Sequence, residues 1–138
     1  MKLMGVDYGR RRIGVAVTDE TGAAIRGLTT IRRAPETDPL ERLEQLAREQ
    51  NPAAVVFGVP LGPDDEETVM SREARAFAAR LEARIEQPIH FVDESYSSHK
   101  AEELLRFRRK KYRRDKAAVD RLAACLILEE YRRESHSV

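Results

Sequence analysis

The sequence predicts an α/β domain built on a mixed five-stranded sheet, and three observations predict it. Short apolar runs crowd the first third of the chain with only turn-sized gaps between them, as in an antiparallel meander. From residue 39 onward, segments with helical apolar spacing alternate with short apolar runs, the pattern of crossovers feeding parallel strands. The length of 138 residues, 41% of them hydrophobic, suits one domain, 1–138, with a single sizeable core.

Leu3 to Asp7 and Ile13 to Thr18 read as strands joined by the polar Tyr8-Gly9-Arg10-Arg11-Arg12. Asp19-Glu20-Thr21-Gly22 then turns the chain into a third strand, Ala23 to Ile31, interrupted by Gly27. Gly5, Gly9 and Gly14 are expected to let the backbone approach a ligand closely. Pro39 to Gln50 places Leu40, Leu43, Leu46 and Ala47 at helical spacing behind Asp38 as N-cap. Ala53 to Val59 is continuously apolar, as a strand covered on both faces should be. Asp64, followed three residues later by Glu67, reads as a capping box for a helix from about Asp65 to Arg84, with Ala74, Phe77, Ala78 and Leu81 as its stripe. Ile89 to Val92 is the fifth strand. Ser97 or Ser98 caps a helix running to Arg106, and a long apolar helix spans Lys116 to Tyr131. This order of elements is that of an RNase H-like domain.

The net charge of +1 conceals a polarised distribution. Residues 106–116 hold eight Lys or Arg against one Asp, so the rest of the chain is acidic and this segment is the expected anion contact. Within it, Phe107-Arg108-Arg109-Lys110-Lys111-Tyr112-Arg113-Arg114 interleaves two aromatics with six cations, a composition that pairs phosphates and stacks on exposed bases. The bland alternative is a solvated loop with no partner, and 107–115 reads as a mobile basic loop in either case. Arg10, Arg11 and Arg12 sit at the first hairpin and are expected to hold substrate phosphate, or else only to solubilise the turn. The one cysteine, Cys125, lies in an apolar helical run, is read as a small buried hydrophobe and forms no internal disulfide, which fits a reducing compartment. No apolar stretch approaches membrane-spanning length, and strand-like alternation begins almost at once. The expectation is a soluble cytoplasmic protein without a membrane partner.

Three carboxylates stand where a core residue is expected. Asp7 ends the first apolar run, Glu94 follows the fifth strand, and Asp120 lies inside the most apolar helical segment. Burying such a group is costly unless a cation compensates it. Paired Mg2+ or Mn2+ ions held by oxygen ligands would do so, and would also activate water for phosphodiester hydrolysis. The structural alternative for Asp7 is a turn-forming aspartate bonded to the hairpin backbone. Asp93 and Glu94 leave an extended strand on opposite faces, and alternation alone does not choose between them. Ala123 and Ala124 lie one turn beyond Asp120, so the helix can press close to the sheet and bring that short acid near strand one. The simpler role for Asp120 is a salt bridge to Lys116. Asp64-Asp65-Glu66-Glu67 is read as helix N-terminal acid rather than a metal cluster. His90, His99 and His136 show no ligand spacing, so no zinc site is expected.

Four segments together resemble the YqgF/RuvX-like family of bacterial RNase H-fold proteins, described as pre-16S rRNA nucleases or Holliday junction resolvase-like. They are Gly5 to Val17, Val55-Val56-Phe57-Gly58-Val59-Pro60-Leu61, Val92-Asp93-Glu94, and Asp120 to Leu128, in the family's order across nearly the whole chain. The resemblance implies Asp7, Glu94 and Asp120 as the catalytic, metal-binding triad, and so selects Glu94 over Asp93. The family usually carries Arg directly after Asp-Glu, whereas this chain has Ser95 followed by Tyr96-Ser97-Ser98. That departure weakens the carry-over of the Arg's phosphate contact, for which nearby arginines can substitute; the candidate substrate contacts are Arg10, Arg11, Arg12, Ser97, Ser98, Arg108, Arg109, Lys110, Lys111 and Tyr112. The loop after Leu61 also departs, with Gly62-Pro63-Asp64-Asp65 where the family tends to have Asn and an Asp-Gly turn.

The implied activity is a divalent-metal-dependent nuclease acting on structured RNA, in 5′-end processing of pre-16S rRNA during ribosome biogenesis. A Holliday junction resolvase on branched DNA uses the same acids but needs a homodimer with two facing sites, and the sequence leaves monomer or homodimer open. A non-catalytic nucleic-acid-binding factor would favour neutral or basic residues at the three acidic positions. A nucleotide phosphotransferase would need a second lobe for which this chain is too short.

Overall fold

The computed structural model describes residues 1–94, residue 102 and residues 115–136. Its sheet contains β1 (Leu3–Asp7), β2 (Arg12–Thr18), β3 (Ile25–Arg32), β4 (Ala54–Val59) and β5 (Ile89–Asp93), in the spatial order β3-β2-β1-β4-β5. β1, β2 and β3 pair antiparallel, while β4 joins β1, and β5 joins β4, in parallel. The helices α1 (Pro39–Gln50), α2 (Val69–Glu82) and α3 (Lys116–His136) cover it. The mixed five-stranded sheet is the one the sequence predicts. The third strand begins later than expected, because Ala23 and Ala24 are held in the turn by Asp19, whose Oδ1 accepts both backbone N–H groups. The proposed helix from Ser97 or Ser98 to Arg106, and the basic segment 107–114, lie outside the described residues apart from Glu102, which is helical.

Strand alternation sorts the side chains into two layers, so the single expected core is in fact two apolar clusters separated by the sheet. Met4 and Val6 of β1, Ile13, Val15 and Val17 of β2, and Val55, Phe57 and Val59 of β4 face α1 and α2. There they meet Leu40, Leu43, Leu46 and Ala47 of α1 and Ala74, Phe77, Ala78 and Leu81 of α2. Each large apolar side chain among them, fully buried, contributes about 1.5–3 kcal/mol. The opposite face is built from small residues. Leu3, Ala16, Ala54, Val56 and Val92 pack there against Ala124, Ile127 and Leu128 of α3.

That asymmetry sets how close α3 can come. A Cβ on Gly5 would lie 2.7 Å from Leu128 Cγ, and one on Gly14 would lie 2.1 Å from the carbonyl oxygen of Asp120. The bare backbone at Gly5 and Gly14 therefore admits the helix rather than a ligand, which corrects the expectation from sequence. Thr30 Oγ1 donates to Ala117 O (2.7 Å) and accepts from Arg121 Nη1 (3.2 Å), fixing the start of α3 to β3.

The helix ends follow local chemistry. Asp38 caps α1 by accepting the Leu40 N–H (3.0 Å), as predicted, and Asn51 closes it in the left-handed conformation. The predicted capping box of Asp64 and Glu67 does not form. Asp64 and Asp65 have φ of 59° and 57°, incompatible with the first turn of a helix, and Pro63–Asp65 makes a short 3-10 turn instead. The box belongs to Thr68 and Ser71: Ser71 N–H donates to Thr68 Oγ1 (3.0 Å) and Thr68 N–H to Ser71 Oγ (2.7 Å). Glu67 accepts from Ser71 Oγ and from Arg75, so this acid serves the start of α2 rather than a metal. Thr68→Ala is expected to cost about 1 kcal/mol in urea unfolding. Unchanged stability would show that α2 does not depend on this cap.

Candidate active site

Asp7 closes β1 at the middle of the sheet, on the face that α3 covers, with Leu3 and Gly5. Its antiparallel partner on β2 is Gly14. On the other side, Val6 pairs with Phe57, which puts Gly58 next to Asp7 along β4. The carboxylate thus stands on a floor with no side chain on either flank. Over Gly14 lies the backbone of α3 at Asp120, and over Gly58 lies Glu94: a Cβ on Gly58 would meet Glu94 Oε2 at 2.7 Å. Three strand and helix ends thereby deliver three acids to one place.

The geometry also separates Asp93 from Glu94. Glu94 N–H donates to Val59 O (3.0 Å), so strand-like alternation continues one residue past β5. Glu94 then shares a face with Val92, which packs in the α3 layer, and with His90, whose ring lies 5.5 Å from that of Tyr131. Asp93 is exposed on the other side, and its Oδ1 accepts from Leu61 N–H (3.4 Å).

Charge is out of balance around Asp7. Burial pushes its carboxyl up to about 6; a hydrogen bond with Glu94 pulls it down, and the charge of Asp120 raises it. Asp120 Oδ2 accepts from Arg12 Nε at 2.6 Å, and the two side chains are 18% and 25% exposed. Asp120 therefore pairs with Arg12 and not with Lys116. Arg12 lies two residues before Gly14 on the same face of β2, so β2 presents to α3 both the cation and the gap. Arg10 turns elsewhere: its Nε and Nη2 donate to both oxygens of Glu73 on α2, which also accepts from Tyr8 Oη. Arg11 is exposed. Ser97, Ser98, Arg108, Arg109, Lys110, Lys111 and Tyr112 lie outside the described residues. Cys125 is half-buried against the α3 layer, its thiol pushed up to about 11 by burial.

Among the described residues, no three acids, histidines or cysteines are grouped as a ready ion cage. The local chemistry explains this, since a guanidinium occupies Asp120 and Glu94 is turned onto Asp7. The donors nevertheless suit a hard divalent cation: all are carboxylate oxygens, and the proton affinity of Asp7 is raised chiefly by burial and further by the charge of Asp120. The residues that sequence reasoning missed are Gly58, which makes room for Glu94, and Arg12 as the partner of Asp120. Gly58 stands in a run read as a buried strand and as one of the segments that carry the family resemblance, but its role depends on which face α3 covers.

Sheet order, helix placement and the acid cluster define an RNase H-like fold. Thermus thermophilus RuvC in complex with a Holliday junction substrate superposes with a TM-score of 0.62, at 18% identity over 98% of this chain and 96% of that one. The fowlpox virus resolvase in complex with Holliday junction DNA gives 0.61, at 10% identity over 99% and 100%. Residues 1–134 match the family model described as "RuvX: Holliday junction resolvase". A Synechococcus elongatus protein is 38% identical over 93% of this chain and 86% of its own length. An Anaeromyxobacter sp. (strain K) protein is 41% identical over 94% of each. Both bear the name "Putative pre-16S rRNA nuclease". The chain belongs to the RuvX family.

The raised pKa of Asp7 makes a stability prediction. An acid whose native pKa exceeds its unfolded value binds protons more tightly when folded, so its contribution to stability falls as pH rises from about 4 through about 6. Asp7→Asn should therefore stabilise the metal-free protein at pH 7, by on the order of 2 kcal/mol, with the gain vanishing below about pH 4. Thermal melts of parent and variant across that range measure it. A pH-independent difference would mean that Asp7 is not the desolvated charge.

Proposed function

We propose that this protein is a divalent-metal-dependent nuclease that hydrolyses phosphodiester bonds in structured RNA, acting at the 5′ end of pre-16S rRNA. The observation that carries the reading is the convergence of Asp7, Glu94 and Asp120 over the glycine floor. The names of its relatives supply the substrate. Asp7, Glu94 and Asp120 would hold Mg2+ or Mn2+, and a bound ion of this kind supplies charge neutralisation and a water of lowered pKa. The chain's own part is to place and desolvate the carboxylates. Gly14 and Gly58 let the backbone of α3 at Asp120 and the side chain of Glu94 come close to Asp7, and burial of Asp7 raises the value of any cation that enters.

Substrate phosphate falls to Arg11 and Arg12 on the hairpin, and to Ser97, Ser98, Arg108, Arg109, Lys110, Lys111 and Tyr112 in the segment before α3. Arg10 is the weakest of the candidates, because Glu73 engages its guanidinium on both oxygens. The protein acts in the cytoplasm, where precursor rRNA is found, as a single domain.

A second reading, junction resolution in DNA, is favoured by the description of the family model and by the two junction-bound structures of like fold. It requires two copies facing two strands. The deciding assay offers labelled precursor-like RNA, linear DNA and a four-way junction side by side, with Mg2+, Mn2+ or chelator. RNA should be cut with either ion and not in chelator. Symmetric cutting of the junction alone, by a dimer, would move the assignment to the resolvase. Asp7→Asn, Glu94→Gln and Asp120→Asn should each abolish cleavage while keeping the fold. Wild-type turnover in any of them removes that acid from the site, and full activity after exhaustive chelation refutes the ion-dependent reaction.

A further inference from the structure

A cavity of about 460 Å³ opens beside Asp120, where β2, the end of β3 and the start of α3 meet. Its wall carries Arg11, Arg12, Arg32, Arg33 and Lys116. Of these five cations Arg12 is already paired with Asp120, and the one acid in the wall, Asp115, uses its Oδ1 to accept the Ala118 N–H (3.0 Å) at the head of α3. Among the described residues, no ion pair neutralises Arg11, Arg32 or Lys116.

The hairpin builds this concentration of charge rather than dispersing it. Strand register sets Arg12 directly across from Arg32, and like charges opposite one another weaken an antiparallel pair. Arg33 N–H donates to Arg11 O (2.9 Å), drawing the two ends together. The guanidinium of Arg33 is itself oriented, donating to Tyr8 Oη (3.0 Å) and Gly9 O (3.1 Å) above the rings of Tyr8 and Phe77. Glu73 accepts from the same Tyr8 hydroxyl, and its carboxyl is held low by Arg10 chiefly and by the Arg33 charge among others, so the guanidinium of Arg33 is held on the α2 side of the sheet and contributes to the cavity only as part of its wall. Arg11, Arg32 and Lys116 thus bring uncancelled positive charge to one concave wall, as a phosphate diester requires, and their mutual repulsion is relieved when an anion enters.

We propose that this cavity binds a backbone phosphate of the nucleic-acid strand, one that is not cleaved, and thereby sets the register of the strand over Asp7. Arg12 joins the two sites, since it lines the cavity while its Nε holds Asp120. The phosphate seated here lies next to the acids, on the β3 side of the sheet. The proposal deepens the nuclease reading and rests on it for the class of ligand.

The test is fluorescence anisotropy with a labelled single-stranded RNA, in chelator so that nothing is cut, over a series of salt concentrations. The full chain is compared with Arg11→Gln/Arg32→Gln/Lys116→Gln, three exposed positions, and with Arg48→Gln/Arg72→Gln/Arg80→Gln, which removes the same charge from the outer faces of α1 and α2. Arg12 and Arg33 stay, because they position Asp120 and Tyr8. The cavity variant should bind more weakly, with a salt slope shallower by about 0.7 for each phosphate no longer neutralised. The control should keep the parental slope. A parental slope in the cavity variant, or an equal fall in both variants, overturns the proposal. Arg32→Gln alone repeats the measurement with one substitution should the triple variant not fold. Cleavage by the same parent preparation with Mg2+ separates the two ideas. Full binding without cutting would count against the nuclease, and cutting with an unchanged cavity-variant slope would count against the cavity alone.

Discussion

The contact on which the rest of the site depends is the seating of α3 on the bare backbone of the central strands. Asp120 is a short side chain on a helix, and Asp7 a short side chain on a strand; they influence one another only because nothing but glycine separates the two backbones at Gly14. Gly58 does the same for Glu94. The α1 and α2 side of the sheet contains the large residues, Phe57, Ile13, Leu43 and Leu81 among them, and supplies rigidity. The α3 side gives up volume in order to bring backbones close. A methyl group at residue 14 would push the helix outward and with it one of three acids, so the packing constraint is also a chemical one.

Electrostatically the site is held out of balance in a controlled way. Asp7 is desolvated and crowded, Asp120 is pacified by Arg12, and Glu94 shares a hydrogen bond with Asp7. Such an arrangement sacrifices stability for function, as clustered like charges generally do. The surrounding polar network limits the damage. Glu73 gathers Arg10 and Tyr8, Arg33 joins Tyr8 to Gly9, and the hairpin beside Asp7 is thereby tied to α2. The result is a fixed loop beside an electrically unsatisfied centre.

Much of this is legible in the sequence, for identifiable reasons. Four of the five strands follow from alternation or from continuous apolar runs, and α1 follows from its stripe and the Asp38 cap. The acids at 7, 94 and 120 stand out because each interrupts an apolar pattern. What is not legible depends on tertiary register. Alternation shows only that Asp93 and Glu94 point apart; the family resemblance selects Glu94, but the physical reason, which face α3 covers, is not in the sequence. The pairing of Arg12 with Asp120 spans 108 residues and needs both the strand face and the helix height. The cap of α2 is misleading in the sequence because Asp64 and Glu67 have the right spacing but the wrong backbone: Asp64 takes a left-handed conformation, and Thr68 with Ser71 does the capping.

If the three carboxylates form one divalent-cation site, diffraction from crystals grown with Mn2+, recorded at the manganese absorption edge, will show it directly. Anomalous density is expected in contact with the carboxylate of Asp7, and it should be lost when crystals of Asp7→Asn are treated alike. Saturating Mn2+ with no anomalous density at Asp7, or with density only at the acidic run of residues 64–67, would contradict a shared cation site.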